Sequence, residues 1–360
     1  MVVSGVAAAA FAFALAAADG LSGVLAPVVD PTEYWANLST LPKASDLLLL
    51  HSTEDFLVDR SVHMKGHPPG FVLLLKGLAA IRLGKPWVTA ALSYMGIALM
   101  VVAVLLTVRT VVGPEAMRRC APFLVLAPFA VWLGTSADAF YAGIASCSIA
   151  CGVIGIRAER WVHRVALGAA TGFLFGSTLF LTYGAATLCP LMGIVILSGV
   201  RRRYSALVEF ALPALVFLTG VAAVFNYFGF WWFDGLRLTN KFYWVGSAYF
   251  RTWTYFLLAN IAVLAVAVGP AVIVGIVWLR DRRVWLIVGG AIACITLAEL
   301  SQYSKGEVER IWLLFMPWLV PATVSLAPSG PTGNDRAVRV WLCVQATLAI
   351  ALQATLRSKW

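Results

Sequence analysis

The chain has 360 residues, 61% of them apolar and only 12% charged, and its mean hydropathy is +0.86. That composition excludes a water-soluble globular protein of this size, and its continuous Leu/Ala/Val/Ile blocks exclude a β-barrel, whose strands alternate over ~10 residues. The formal net charge of +10 falls in short clusters with no aromatic-rich basic platform beside them, which excludes nucleic acid as a partner.

Repeated runs of the ~17 to 25 apolar residues that cross a bilayer predict an all-α, polytopic transmembrane protein of about eleven spans. The first span is expected at about Val2 to Val28. Asp19-Gly20 interrupts it and no strong basic stretch precedes it, so it reads as a retained span rather than a cleaved signal peptide. Later spans are expected to start near Trp87, Ala121, Phe140, Val165, Ala185, Leu207, Trp253, Val284, Ile311 and Val338. Residues 1–360 then form a single integral membrane domain with no separate soluble domain. The six cysteines, Cys120, Cys147, Cys151, Cys189, Cys294 and Cys343, lie in or beside apolar runs without a C-x-x-C pair. Neither a disulfide nor a thiolate metal site is expected from them.

Four basic clusters orient the chain: Arg109 with Arg118 and Arg119; Arg157, Arg160 and Arg164; Arg201, Arg202 and Arg203; Arg280, Arg282 and Arg283. Under the positive-inside rule they mark cytoplasmic loops, with an even number of crossings between successive ones. The N-terminus then lies inside, the C-terminus outside, and residues 29–86 and 231–252 form long external loops. Phe71 to Leu83 is apolar but short and contains Lys76 and Arg82. Counting it as a crossing would put the polar stretch before it and the Arg118 loop on the wrong sides. Pro68 to Leu83 is therefore expected to be a juxtamembrane amphipathic helix at the outer leaflet, with Pro69 in its first turn.

Ionisable residues gather on the external face: Asp30, Glu33, His63, Lys65 and His67 in the first loop, Asp138 at the next outer tip, then Arg251, Lys305, Glu309 and Arg310. Such a rim suits group transfer from a lipid-linked donor. A carboxylate takes the proton of an acceptor hydroxyl, cations meet the departing phosphate, and an apolar groove holds the lipid.

Three blocks carry a family resemblance: Asp30-Pro31-Thr32-Glu33-Tyr34 at the outer end of the first span, Lys65-Gly66-His67-Pro68-Pro69-Gly70 opening the surface helix, and Asp138 at the tip of the second hairpin. Their order resembles the multi-spanning glycosyltransferases of the type C fold, which include protein O-mannosyltransferases, aminoarabinose transferases and actinobacterial arabinosyl- and mannosyltransferases. The Gly306-Glu307-Val308-Glu309-Arg310-Ile311-Trp312 block resembles actinobacterial members more loosely. The resemblance implies a polyprenyl-phosphate-linked sugar donor, a glycan, lipid or protein acceptor, an inverting reaction and an extracytoplasmic site in the bacterial plasma membrane. It carries the catalytic carboxylate onto Asp30, with Glu33 as the alternative, the second-loop carboxylate onto Asp138 and the motif histidine onto His67. Lys65, Arg251, Lys305 and Arg310 are the cations available for the donor phosphate, and Asp138 is placed to orient the acceptor or a bound divalent cation. Pro31 stands where many relatives have a second acidic residue, which weakens a paired-carboxylate metal site.

Each residue also has a purely structural reading. Asp30 and Asp138 suit helix-start caps, His67 could hold the Pro-Pro turn through a loop carbonyl, and Glu309 with Arg310 could form an ion pair. Lys65, Arg251 and Lys305 suit interfacial anchors. Glu209 and Asp19 are expected to stabilise helix packing. Among other functions, a transporter or flippase of a lipid-linked or envelope precursor would concentrate ionisable groups and broken helices near the midplane, with repeat symmetry. The centres of these spans are nearly free of charge. A non-catalytic scaffold would give acidic and basic groups no reason to gather on one rim.

Overall fold

A computed structural model describes residues 1–200, 204–326 and 335–356. The Arg201, Arg202 and Arg203 cluster lies outside the described residues. Every regular element in the described residues is a helix.

Seven helices are long and apolar enough to cross a membrane, or eight if a bent pair counts as one span. Six fall where hydropathy places them, Pro86–Val111, Ala137–Arg157, Trp161–Leu181, Tyr204–Tyr227, Arg282–Leu300 and Arg336–Thr355, while the first is Val2–Asp19 rather than Val2 to Val28, because Gly20 at φ +85° ends it and Leu21–Val29 forms a separate helix. The remaining expected spans are interrupted. The segment beginning near Ala121 is a Pro114–Val125 helix containing Pro122, followed by the single turn Ala130–Leu133. The Ala185 segment is a 3-10 stretch, Tyr183–Leu188, leading into Cys189–Leu197, and the Ile311 segment runs through 3-10 turns to Leu326. Trp253–Val268 and Pro270–Trp278 meet at 101°. Pro270 has no amide hydrogen to continue the first helix. Gly269 takes φ +81° at the corner, and Gln345 Nε2 donates to the buried Val268 carbonyl oxygen, which the break frees, at 2.9 Å. Irregular backbone at this depth persists because a neighbouring side chain satisfies it.

Small residues set how closely the helices approach. Gly168, Gly172 and Gly176 repeat every fourth residue on Trp161–Leu181, facing Tyr204–Tyr227, and a Cβ at Gly168 or Gly172 would strike the carbonyl oxygen of Phe210 or Ala214. Such small-xxx-small faces let backbones pack without side-chain spacers. Gly96 and Gly143 form a second crossing, where a Cβ on Gly143 would stand 2.6 Å from the Gly96 carbonyl oxygen. Arg164, at the start of its helix, pairs with Glu209 at 2.6 Å, giving Glu209 the packing role expected of it.

The two ends of the bundle differ. Pro86–Val111 and Ala137–Arg157 run in the same direction and finish at Arg109 and Arg157. At the other end lie Asp138 and the segment 30–80. There the surface helix is observed as Gly70–Ala80, with Phe71, Val72 and Leu75 buried and Lys76 Nζ donating to the Leu41 carbonyl oxygen at 3.2 Å. Pro69 caps it from just outside rather than sitting in its first turn.

Replacing Gly172 by Ala is expected to force the two helices apart and lower stability by about 1–3 kcal/mol. Gly220→Ala, where an added methyl meets nothing within 4 Å, should leave it unchanged or higher; unfolding midpoints in detergent compare the two.

A buried carboxylate, guanidinium and histidine cluster

Four segments distant in sequence meet at the acidic end of the bundle. The first begins at Asp30, where the Leu21–Val29 helix stops. One carboxylate oxygen of Asp30 accepts the Thr32 amide at 2.8 Å and also the Thr32 hydroxyl. This Asx-turn, closed by Glu33 N donating to the Asp30 carbonyl oxygen at 3.0 Å, folds the chain back so that Glu33 and Tyr34 point into the protein. Asp30 itself stays half-buried on the rim.

The second segment is the tip before Ala137–Arg157. Ser136, not Asp138, is the N-cap: its hydroxyl oxygen accepts the Asp138 amide at 3.1 Å and donates to Asp138 Oδ2 at 3.0 Å. Asp138 occupies the first turn, where the helix dipole favours a carboxylate. Thr135 before the cap has φ +61°, a left-handed conformation that is strained for a β-branched residue.

The third segment, residues 301–311, delivers Arg310. Its loop contains Gln302, Gly306 and Glu307 at positive φ. Asn260 ties it down, donating to the Ser304 carbonyl oxygen at 2.6 Å and accepting the Gly306 amide at 3.2 Å. The guanidinium then bridges two carboxylates, with Nε 3.0 Å from Asp138 Oδ2 and Nη1 3.0 Å from Glu33 Oε1. Only 6–8% of each of Arg310, Asp138 and Glu33 is exposed. A planar fork of donors suits this two-sided grip where a lysine would not. The sequence-based alternative of a Glu309–Arg310 pair is therefore replaced: neighbours on a helical turn point away from one another, and Arg310 turns inward to residues 277 and 172 positions away.

Histidines from the fourth segment close the cluster. His63 Nδ1 bonds the Thr32 carbonyl oxygen at 2.8 Å, and its Nε2 faces Glu33 Oε1 at 3.5 Å. His67 stacks on His63 with ring centroids 6.0 Å apart and also meets Tyr34 and Tyr141. The Tyr141 hydroxyl donates to that of Tyr34 at 3.0 Å. Beneath the Pro-Pro turn, His51 Nε2 donates to the His67 carbonyl oxygen at 3.0 Å. Burial pushes His51, His63 and His67 down to about 4, so each imidazole is neutral near pH 7. Burial also raises the Glu33 carboxyl, against the opposing pull of Arg310.

The expected phosphate-binding cations divide into two groups. Arg310 is spent on carboxylates. Arg251 bonds the Lys305 carbonyl oxygen at 2.6 Å and Glu307 at 2.7 Å. Lys65 and Lys305 make no ion pair among the described residues; their ammonium groups lie 5.7 Å from the Phe242 ring centroid and 4.2 Å from that of Trp244. Both aromatics belong to the helix Trp232–Val245, which spans the site: Thr239 donates to the Lys65 carbonyl oxygen at 2.8 Å and Tyr243 accepts the Lys305 amide at 2.9 Å.

The structure thus brings together Glu33, His67, Asp138 and Arg310, and leaves Asp30 on the rim with Lys65, Arg251 and Lys305 set to the side of Trp232–Val245. Sequence reasoning did not single out His63, Tyr34, Tyr141 or His51 as site residues. Spacing offered one signal: Tyr141 lies three residues after Asp138, on the same helix face. Among the described residues no group of three or more His, Cys, Asp or Glu is arranged to hold a metal ion. Between Glu33 and Asp138, the Arg310 guanidinium takes one oxygen of each carboxylate, Oε1 and Oδ2.

Arg310→Met is expected to cost about 3–5 kcal/mol, since it leaves buried Asp138 and Glu33 without their shared donor; adding Glu33→Gln and Asp138→Asn should recover part of the loss, read by denaturation in detergent. His51 binds its proton less readily folded, at about 4, than at its ordinary 6.5. The unfolded chain therefore takes up more protons between those values, and the stability present above pH 6.5 declines as pH falls toward 4. His51→Gln, which keeps a donor for the His67 carbonyl, is expected to flatten part of that acid limb in a series of unfolding midpoints.

No family model and no curated protein matches the sequence. Among solved structures the chain is similar to ArnT from Cupriavidus metallidurans, crystallised in the apo state, with a TM-score of 0.51 and 16% sequence identity. The match covers 84% of this chain and 57% of ArnT, so this chain spans a little over half the length of that protein. The architecture is the type C membrane fold that the Asp30, His67-Pro68-Pro69 and Asp138 blocks imply.

Proposed function

We propose that this protein is a membrane glycosyltransferase that moves a sugar from a polyprenyl-phosphate donor to a cell-envelope acceptor on the extracytoplasmic face. The observation that carries this reading is the convergence of Glu33, His67, Asp138 and Arg310 at one end of an ArnT-like bundle, with Asp30 on the rim above and two lysines beside them that make no ion pair among the described residues. The site end is opposite Arg109, Arg157 and Arg164, which the positive-inside rule assigns to the cytoplasm.

In this reading Asp30 is the general base. A base at the membrane surface must present an oxygen to the acceptor, and Asp30 is the acidic residue on the rim whose carboxylate the Thr32 turn orients. Its carboxylate takes the acceptor hydroxyl proton as the acceptor oxygen bonds to the anomeric carbon from the face opposite the phosphate. The bond from that carbon to the phosphate oxygen breaks, its electron pair leaves with the polyprenyl phosphate, and the configuration inverts. Lys65 and Lys305 meet the phosphate charge. Arg251 steadies the Lys305 backbone rather than binding the donor. Asp138 and Glu33 hold Arg310, which takes the place of a cation between them, and with His67 they form the floor on which acceptor and sugar rest. The acceptor, whether glycan, lipid or protein, meets the loops.

Asp30→Asn is expected to reduce transfer from a polyprenyl-phosphate sugar by about 10²–10⁴-fold in protein that still folds and inserts. Lys305→Ala should chiefly raise KM for the donor. Vesicle assays with radiolabelled donor measure both; full activity of Asp30→Asn removes the assigned base.

A further inference from the structure

The position of His63 fixes where a proton must be. The Thr32 carbonyl oxygen can only accept, so His63 Nδ1, 2.8 Å away, carries the hydrogen that joins them. In a neutral imidazole the other nitrogen is then bare, and that nitrogen, Nε2, faces Glu33 Oε1 at 3.5 Å. Two lone pairs would confront each other across that gap. The adjoining charges pose the same problem: with both carboxylates ionised, Arg310, Glu33 and Asp138 sum to −1 in a largely buried site, a costly arrangement in low dielectric. One proton between Oε1 and Nε2 removes both difficulties. We propose that Glu33 and His63 hold one proton between them at neutral pH, which makes the buried Glu33–Arg310–Asp138 cluster electrically neutral and makes His63 a positioning residue for it.

The groups around the pair agree with this. Arg310 and Asp138 approach from two other segments, His67 stacks on the His63 ring, and Tyr34 and Tyr141 face the pair with their hydroxyls joined to each other. Glu307 acts on His63 from farther off. Burial and Arg310 both oppose a positive imidazole, while burial raises the Glu33 carboxyl, so the proton resides on the carboxyl side and points at Nε2. Ser61 caps the short Val62–Gly66 helix by accepting the Met64 amide at 3.4 Å, which holds the His63 ring in register with Thr32.

The inference stands on the geometry of the cluster and not on the transfer reaction, so its test needs no substrate. The unfolded chain releases the Glu33 proton around 4.5 while the folded protein keeps it to neutral pH, so this contribution is complete below pH 4.5 and is lost progressively as pH rises from there toward the folded value. In full-length protein in detergent, the folding equilibrium of the wild type is expected to weaken relative to Glu33→Gln by about tenfold per pH unit from about pH 4.5 up to neutrality, and to level off only where the folded protein also loses the proton, because the glutamine keeps a donor toward Nε2 but has no proton to lose. Parallel profiles for the two proteins overturn the proposal. Should Glu33→Gln not fold, ¹⁵N spectra of the histidine-labelled wild type decide, with four histidines to assign. His63 Nε2 is expected to show the shift of a nitrogen that accepts a hydrogen bond at neutral pH and that of an unbonded nitrogen at alkaline pH; an unbonded Nε2 at neutral pH is the overturning result.

Discussion

The Arg310 guanidinium is the constraint on which the site depends. Removing an arginine and two carboxylates from water costs several kcal/mol per ion, and attraction between them repays this only when the geometry is near ideal and the remaining polar atoms are bonded. Here both carboxylates are engaged at 3.0 Å by different nitrogens of one planar group, and the Ser136 hydroxyl bonds Asp138 as well. Such a cluster contributes little net stability but is intolerant of misassembly. If the 301–311 loop, the first external loop or the Ala137–Arg157 helix docked elsewhere, a buried charge would be left without its partner. The interaction thus selects one arrangement of three segments that share no sequence proximity.

That selection explains why strained backbone is tolerated beside it. Thr135 and Glu307, each at φ +61°, flank the two elements that deliver Asp138 and Arg310. Conformations of this kind cost about 1–3 kcal/mol each and persist only where the surroundings over-determine them. Ser136 capping on one side and Asn260 on the other supply that determination: Asn260 bonds the Ser304 carbonyl, the Gly306 amide and Glu299 at once. The strain turns both side chains inward from short loops that would otherwise leave them at the surface.

Hydropathy located the apolar segments but could not distinguish a continuous helix from a broken one. Pro122, Pro190, Pro317 and Pro321 sit in segments as apolar as their neighbours, and whether such a segment stays helical depends on which groups satisfy the freed backbone, as Gln345 does at Val268. That partner is 77 residues away and leaves no trace in local composition. The site divides along the same line. Asp30, Glu33, His67 and Asp138 stand in short blocks whose order is legible, and the loop cations were found through sidedness. The pairing of Arg310 with Glu33 and Asp138, rather than with the adjacent Glu309, required the fold. So did the place of His63, one ionisable residue among several in a polar loop until the Thr32 turn brings Glu33 against it.

The cluster also indicates why base and clamp should be separate residues in the proposed reaction. A carboxylate that accepts from a guanidinium is a poor proton acceptor, because the same charge that holds it in place stabilises its ionised form. Asp138 is locked in this way, and both Asp138 and Glu33 are buried against Arg310, so using either as the base would mean breaking the contact that keeps the floor assembled. Asp30 stands on the same turn, half-buried at the rim, with its carboxylate directed by the amide and hydroxyl of Thr32. Asp30 follows the short Leu21–Val29 helix, and Lys65 and Lys305 rest on Phe242 and Trp244 along one helix. Aromatic faces hold a lysine in place without neutralising it, so both charges are preserved for an anion that arrives with the donor and must leave with its lipid.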